Sequence, residues 1–232
     1  MDNYSVQLRL QGFAKKYAKE VIHDVARKFY VNGVTQKRAV PHISLFGNFK
    51  TLNEKEIISE IKSVGRRYEL VPFRIKGFDF FDNKKNKVIY LDVEPSEELK
   101  NLRRDIYRRL SKYSNNCKKS DMKHDFDFHA TVAFKDIDYK FERIWDYIQM
   151  KRVPYINQYL LRITILKNSK ILCEYDLMQQ KLLNRKEALS KEDWKKTITI
   201  FKQKTSDFGQ DIEDIKKHEN IWNKIKRFLN HR

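Results

Sequence analysis

The feature of the sequence that most limits its possible folds is the order of its periodic segments. Segments with the period of a strand alternate with segments that have the period of a helix along most of the chain. Tyr4–Leu10 alternates polar and apolar residues with a period of two, which predicts a half-buried strand. Apolar residues then recur every three or four positions over residues 14–29, which predicts a helix, and Gly33 is expected to end it. His42–Phe46 alternates again, so the chain begins with a strand, a helix and a strand.

The same order returns in the second half of the sequence. Val71–Phe81 and Lys87–Val93 flank a polar turn of hairpin length, and Ser96 can cap the helix that follows them. A polar loop is predicted over residues 114–127, ahead of the strand Phe128–Phe134. A further helix and two hairpin strands complete the pattern, over residues 141–150, 160–166 and 171–175.

These elements predict an α+β fold built from two similar lobes. We expect one domain over residues 1–183, made of two pseudo-symmetric lobes, and a basic helical extension over residues 184–232. In the extension, Ser190 can cap one helix, and a second amphipathic series runs through residues 212–229 with a basic face. That face could contact RNA, although a helix packed on the body with its other side in solvent is the simpler interpretation.

The strongly positive charge favours a phosphate-rich partner. The chain has 232 residues with 49 Lys and Arg against 31 Asp and Glu, a formal net charge of +18. Residues 184–232 hold only 13 basic and 8 acidic side chains, so most of the excess lies in the body. A compositional bias towards Lys is the alternative explanation.

The termini and cysteines point to a cytoplasmic protein that does not enter a membrane. No basic segment followed by an apolar run opens the chain, and no stretch of about 18 apolar residues occurs. The two cysteines have no spacing typical of a zinc site or a disulfide framework.

Two tetrads of the form His, apolar, hydroxyl, apolar are the candidate catalytic residues. They are His42-Ile43-Ser44-Leu45 and His129-Ala130-Thr131-Val132, and both lie in strand patterns. With a period of two, each tetrad places its imidazole and its hydroxyl on one face of the strand. Pseudo-twofold packing of the lobes would then bring the two imidazoles face to face, whereas two unrelated strand histidines would not meet.

Such a pair is suited to displacement at phosphorus. One oxygen must lose a proton as it attacks while the opposite oxygen gains one as it leaves, and two imidazoles with an ordinary pKa of about 6.5 can do both near neutral pH. The hydroxyls of Ser44 and Thr131 can donate hydrogen bonds to the non-bridging oxygens. This chemistry needs neither a metal nor another cofactor.

The sequence resembles the 2H phosphoesterases, also described as the 2′-5′ RNA ligase or RNA 2′,3′-cyclic phosphodiesterase superfamily. The resemblance covers about residues 1–190 and lies in Val40–Gly47, Phe128–Lys135 and the central strand Val88–Val93. It implies a bilobal duplicated fold with two antiparallel sheets, flanking helices and a central groove. It also implies that His42 and His129 are the acid and base, with Ser44 and Thr131 binding phosphate.

One position departs from the family pattern. Many close relatives of the bacterial phosphodiesterase have Arg five residues after the second His, where this chain has Phe134 and then Lys135. Lys135, Phe46 and Tyr90 are possible substrate contacts, although a solvated Lys and two core aromatics are the simpler interpretations. A metal cluster of His124, Asp125, Asp127 and His129 is a weaker hypothesis, because alternate strand residues face opposite sides.

The predicted function is metal-independent hydrolysis of the 2′,3′-cyclic phosphate of an RNA end or nucleotide to a 2′-phosphate. The reaction could also run as 2′-5′ ligation. The resemblance implies that His129 activates water and His42 protonates the leaving oxygen. Alternatives are an RNA-binding module with a vestigial site, or a phosphodiesterase acting on 2′-5′ oligonucleotides or an ADP-ribose cyclic phosphate. We expect a monomer whose partners are RNA ends or cyclic nucleotides.

Overall fold

The computed structural model describes residues 1–35, 40–83, 86–115 and 126–206. They form nine strands: β1 Asp2–Arg9, β2 His42–Thr51, β3 Val71–Asn83, β4 Asn86–Pro95, β5 His129–Phe134, β6 Ile156–Leu160, β7 Arg162–Lys167, β8 Lys170–Asp176 and β9 Lys181–Asn184. The helices in this part of the chain are α1 Gly12–Phe29, α2 Glu54–Gly65, α3 Glu97–Leu110, α4 Phe141–Gln149, α5 Arg185–Leu189 and α6 Lys191–Ser206. The predicted α+β class is confirmed.

The strands form two antiparallel sheets. The five-stranded sheet has the order β2-β1-β7-β8-β9, and the four-stranded sheet has the order β5-β4-β3-β6. In each sheet two antiparallel neighbours are separated in the chain by a described α-helix: α1 lies between β1 and β2, and α3 lies between β4 and β5. This is the predicted duplication, and β2 and β5 are edge strands that contact each other.

Apolar faces of the sheets and helices form the core. Helix α1 buries Ala14, Ala18, Val21, Ile22, Val25 and Phe29, and α3 buries Leu99, Leu102, Ile106 and Leu110. The hydroxyl of Ser96 accepts a hydrogen bond from the Leu99 amide at 3.2 Å, as its predicted capping role requires.

The prediction that Gly33 ends α1 is wrong. The helix ends at Phe29, and Tyr30 takes the left-handed conformation with φ 51° and donates its amide to the Ala26 carbonyl. A Cβ at Gly33 would lie 1.9 Å from the carbonyl oxygen of Phe134. The glycine is therefore needed for the close approach of this loop to β5.

A second correction concerns the predicted strand at residues 160–166. Leu160 ends β6 in the four-stranded sheet, and Arg162 begins β7 in the five-stranded sheet. The apolar run is continuous, so the pattern does not reveal that the chain crosses between sheets at Leu161. Strand β9 and helix α5 were not predicted, and β2 continues through Gly47 and Asn48 to Thr51.

The chain divides into two compact units, Met1–Ala188 and Leu189–Arg232. In the second unit α6 begins after Ser190, whose hydroxyl accepts from the Asp193 amide at 3.2 Å, as predicted. The predicted helix at residues 212–229 lies outside the described residues, and the domain boundary at residue 183 stays a prediction. Among the described residues, no helix is both long and apolar enough to cross a membrane.

Candidate active site

The two tetrads begin the two edge strands that contact each other. His42 is the first residue of β2 and His129 is the first residue of β5. Ile43 and Ala130 are buried, whereas the histidines and hydroxyl residues beside them are half-buried. Each imidazole therefore shares the open face of its strand with Ser44 or Thr131, as the alternation predicted.

Equivalent hydrogen bonds orient the two imidazoles. The Nδ1 atom of His42 lies 2.8 Å from the carbonyl oxygen of Val40, and the Nδ1 atom of His129 lies 2.8 Å from the carbonyl oxygen of Asp127. A carbonyl only accepts, so Nδ1 carries the proton in each neutral ring. The Nε2 atoms are left to exchange protons with a substrate.

Burial disfavours the protonated form of both imidazoles. Burial lowers the pKa of His42, and the positive charge of His129 lowers it further, against a raising effect of the Val40 carbonyl. Burial also lowers the pKa of His129, although the carbonyl and the carboxylate of Asp127 oppose this. One ring can hold a proton while its partner is neutral, which an acid and base pair requires.

Aromatic rings surround His129. Its ring centroid lies 5.0 Å from that of Phe81 in an edge-on arrangement and 5.2 Å from that of Tyr90, and Phe126 follows at 6.4 Å. Burial, with nearby carboxylates that include Asp79, raises the pKa of Tyr90. Its phenol thus stays protonated near neutral pH, and Tyr90 is a buried residue that packs beside His129.

The strand next to each tetrad supplies residues that the sequence analysis missed. Arg9 lies directly opposite His42 and Gln7 opposite Ser44, on β1. Asp92 lies opposite His129 in the other sheet, on β4. Directly opposed residues share a face with Cβ atoms about 5 Å apart, so these side chains belong to the groove. The polar alternation of Gln7 and Arg9 is visible in the sequence, but it does not reveal the strand pairing.

Beyond β1 the same face carries a buried ionic network. Glu174 on β8 is fully buried and accepts from Arg9 at 2.6 Å, from the Thr164 hydroxyl at 2.6 Å and from Arg162 at 3.4 Å. Arg162 also pairs with Asp176 at 2.8 Å. Each carboxylate thus has cationic or hydroxyl partners, which a buried charge requires.

Two of the three possible substrate contacts, Phe46 and Lys135, do not lie beside the tetrads. Leu45 forms a bulge, because Gln7 pairs with Ser44 whereas Val6 pairs with Phe46. The bulge turns Phe46 into the core, where it is 2% exposed and lies against Phe49 and Tyr107. Phe46 is thus not a substrate contact.

Lys135 follows the end of β5 rather than lying beside the histidine. It is exposed, has φ 73°, and its Nζ lies 5.0 Å from the ring centroid of Phe134. His124 and Asp125 of the alternative metal cluster lie outside the described residues. Among the residues that are described, no group of three or more His, Cys, Asp or Glu could hold a metal ion.

The chain is similar in structure to several solved proteins. Usb1 of Kluyveromyces marxianus, solved with uridine monophosphate, is 12% identical over 79% of this chain and 97% of that chain, with a TM-score of 0.45. TT0787 of Thermus thermophilus is 13% identical over 76% and 98%, with a TM-score of 0.46. LigT of E. coli, solved with 3′-AMP, is 14% identical over 77% and 99%, with a TM-score of 0.46.

Two comparisons of the sequence give different results. Among curated proteins, none matches the chain at a significant level. A family model described as the 2′-5′ RNA ligase superfamily matches residues 15–167, which are more than half of the chain and contain both tetrads.

Proposed function

The chain belongs to the 2′-5′ RNA ligase superfamily, and we propose that it hydrolyses the 2′,3′-cyclic phosphate of an RNA end or nucleotide to a 2′-phosphate, without a metal. The observation that carries this proposal is the pair of imidazoles with the same orientation on contacting edge strands. Both are held through Nδ1 at 2.8 Å, which leaves each Nε2 for proton transfer.

The proposed reaction is an in-line displacement. His129 removes a proton from water, the water oxygen forms a bond to phosphorus, and the bond from phosphorus to the 3′-oxygen breaks. His42, protonated at Nε2, gives its proton to that leaving oxygen, and a 2′-phosphate remains. Exchange of protons with solvent then restores the two rings.

Local charges support these roles. The Asp127 carboxylate, which favours the protonated form of His129, stabilises the imidazolium that forms as water is deprotonated. Burial disfavours the charged form of His42, which makes its imidazolium a stronger acid. Hydrogen bonds from Ser44 and Thr131 would stabilise negative charge on the non-bridging oxygens.

Ligation follows from the same geometry with a different nucleophile. If the 5′-hydroxyl of a second RNA takes the place of water, His129 deprotonates it and the 3′-oxygen leaves as before. The product is a 2′-5′ phosphodiester, and hydrolysis and ligation share both histidines.

The test is turnover of a dinucleotide 2′,3′-cyclic phosphate with the product identified by phosphorus NMR, in the presence of a chelator. We expect a 2′-phosphate and no loss of rate. Replacing both His42 and His129 with Ala should abolish turnover, whereas His23→Ala, an exposed histidine on α1, should leave it unchanged.

Three outcomes would contradict the proposal in distinct ways. A 3′-phosphate product would mean that the leaving oxygen is the 2′-oxygen and that the roles of the two histidines are reversed. Activity that is lost with the chelator and restored by a divalent cation would refute metal independence. Salt-sensitive RNA binding without turnover would instead favour a binding module.

A further inference from the structure

Arg9 presents its guanidinium on the groove face of the five-stranded sheet. It lies directly opposite His42 in the antiparallel pair of β1 and β2, so both side chains leave the sheet on the same side. The side chain of Arg9 is 17% exposed, so it is mostly buried but still accessible from that face.

A fully buried carboxylate holds this guanidinium. The Nη2 atom of Arg9 donates to Oε1 of Glu174 at 2.6 Å, and Glu174 is itself fixed by the Thr164 hydroxyl and by Arg162. An arginine anchored in this way loses little further conformational freedom when it binds a ligand.

Glu174 does not use all the N–H donors of the Arg9 guanidinium. Arginine has five N–H groups, of which the contact at Nη2 occupies one. The Nε atom of Arg9 is buried and has no hydrogen-bond partner among the described residues. Buried donors in folded proteins are nearly always paired, so the Arg9 guanidinium is short of acceptors, and a ligand that reaches its exposed part could supply one.

Two lysines add positive charge near Arg9. Lys15 and Lys19 lie one helical turn apart on the same side of α1, which begins just after β1. Burial lowers the pKa of Lys15, and the charges of Lys19 and Arg9 lower it further. Like charges in one region disfavour one another, and a bound anion would relieve that repulsion.

We propose that Arg9, assisted by Lys15, binds a second phosphate of the substrate. This phosphate lies one ribose away from the cyclic phosphate held by the tetrads, so the inference rests on the proposed function. The groove would then select an RNA end or a 5′-phosphorylated nucleotide over a bare nucleoside 2′,3′-cyclic phosphate. Guanidinium binds phosphate through charge-assisted, commonly bidentate hydrogen bonds.

The experiment compares three substrates of the full-length protein. They are a nucleoside 2′,3′-cyclic phosphate, its 5′-phosphorylated form and a dinucleotide 2′,3′-cyclic phosphate. We expect kcat/KM to be about tenfold or more higher for the two substrates with a second phosphate, equivalent to about 1.4 kcal/mol. Equal values for all three would overturn the inference, whereas no turnover of any of them would instead refute the proposed function.

Single substitutions test which residues produce the preference for substrates with a second phosphate. Arg9→Gln should reduce the preference to below about twofold, mainly by raising KM for the two substrates that carry a second phosphate. Lys15→Gln, which does not disturb Glu174, should reduce the preference in part. The control Arg27→Gln removes the same charge from an exposed position on α1 and should keep the preference.

Two variant results would overturn the assignment. An equal loss on all three substrates in Arg9→Gln would mean that Arg9 acts at the cyclic phosphate itself. The same reduction in Arg27→Gln would mean that the overall positive field, rather than a local contact, produces the preference.

Discussion

His42 and His129 donate Nδ1–H to backbone carbonyls at the same distance of 2.8 Å, in each case to the residue two positions earlier in the chain. Equivalent local geometry in two sheets therefore orients both rings with Nε2 available. The surroundings of the rings differ, because Arg9 lies beside His42 whereas Asp92 lies beside His129.

The pH dependence of kcat/KM should be bell-shaped with its optimum on the acidic side of about 6.5, the ordinary pKa of histidine. The pKa values of both imidazoles are lowered, so the acid loses its proton at a lower pH than a free histidine does. Initial rates measured across the acidic and mildly basic range test this. An optimum on the basic side of the ordinary histidine pKa would contradict it.

Asp127→Asn should lower the pKa of His129. The substitution removes the carboxylate charge that favours the imidazolium but keeps the backbone carbonyl that accepts from Nδ1. Titration of the ring followed by NMR measures the shift, and Asp2→Asn, at the start of β1, serves as the matched control. An unchanged or raised pKa of His129 would show that this carboxylate does not act on the ring.

Ser44→Ala and Thr131→Val should each reduce kcat by about 10²-fold, because each removes one donor to the non-bridging oxygens of the transition state. Steady-state kinetics on the dinucleotide cyclic phosphate provides the measurement. Ser63→Ala, on the exposed side of α2, is the control. A change in KM alone would assign these hydroxyls to ground-state binding.

Glu174→Gln should lower the free energy of unfolding by about 3 kcal/mol, because it leaves Arg9 and Arg162 partly uncompensated at a buried position. Glu192→Gln breaks an exposed pair with Lys196 and should cost less than about 0.5 kcal/mol. Urea denaturation followed by circular dichroism compares the two variants. Similar small losses would mean that the network contributes little to stability.

Much of the local structure could be predicted from the sequence because it depends on short-range periodicity. Helix α1, the cap at Ser96 and the two tetrads all rest on residues within a few positions of one another. Predictions that involved a partner elsewhere in the chain were less successful. Gly33 was assigned to a helix end although its role is set by the Phe134 carbonyl, and the alternation that made Phe46 a possible contact is interrupted by a bulge.

Residue alternation alone predicts that each histidine shares a strand face with a hydroxyl, because the period of two is a property of the extended backbone. The side chains that lie beside the histidines depend instead on how the strands pair. Arg9 reaches His42 through the pairing of β1 with β2, and Glu174 reaches Arg9 across β7. Strand order and register depend on the packing of the whole core, and no local pattern encodes them.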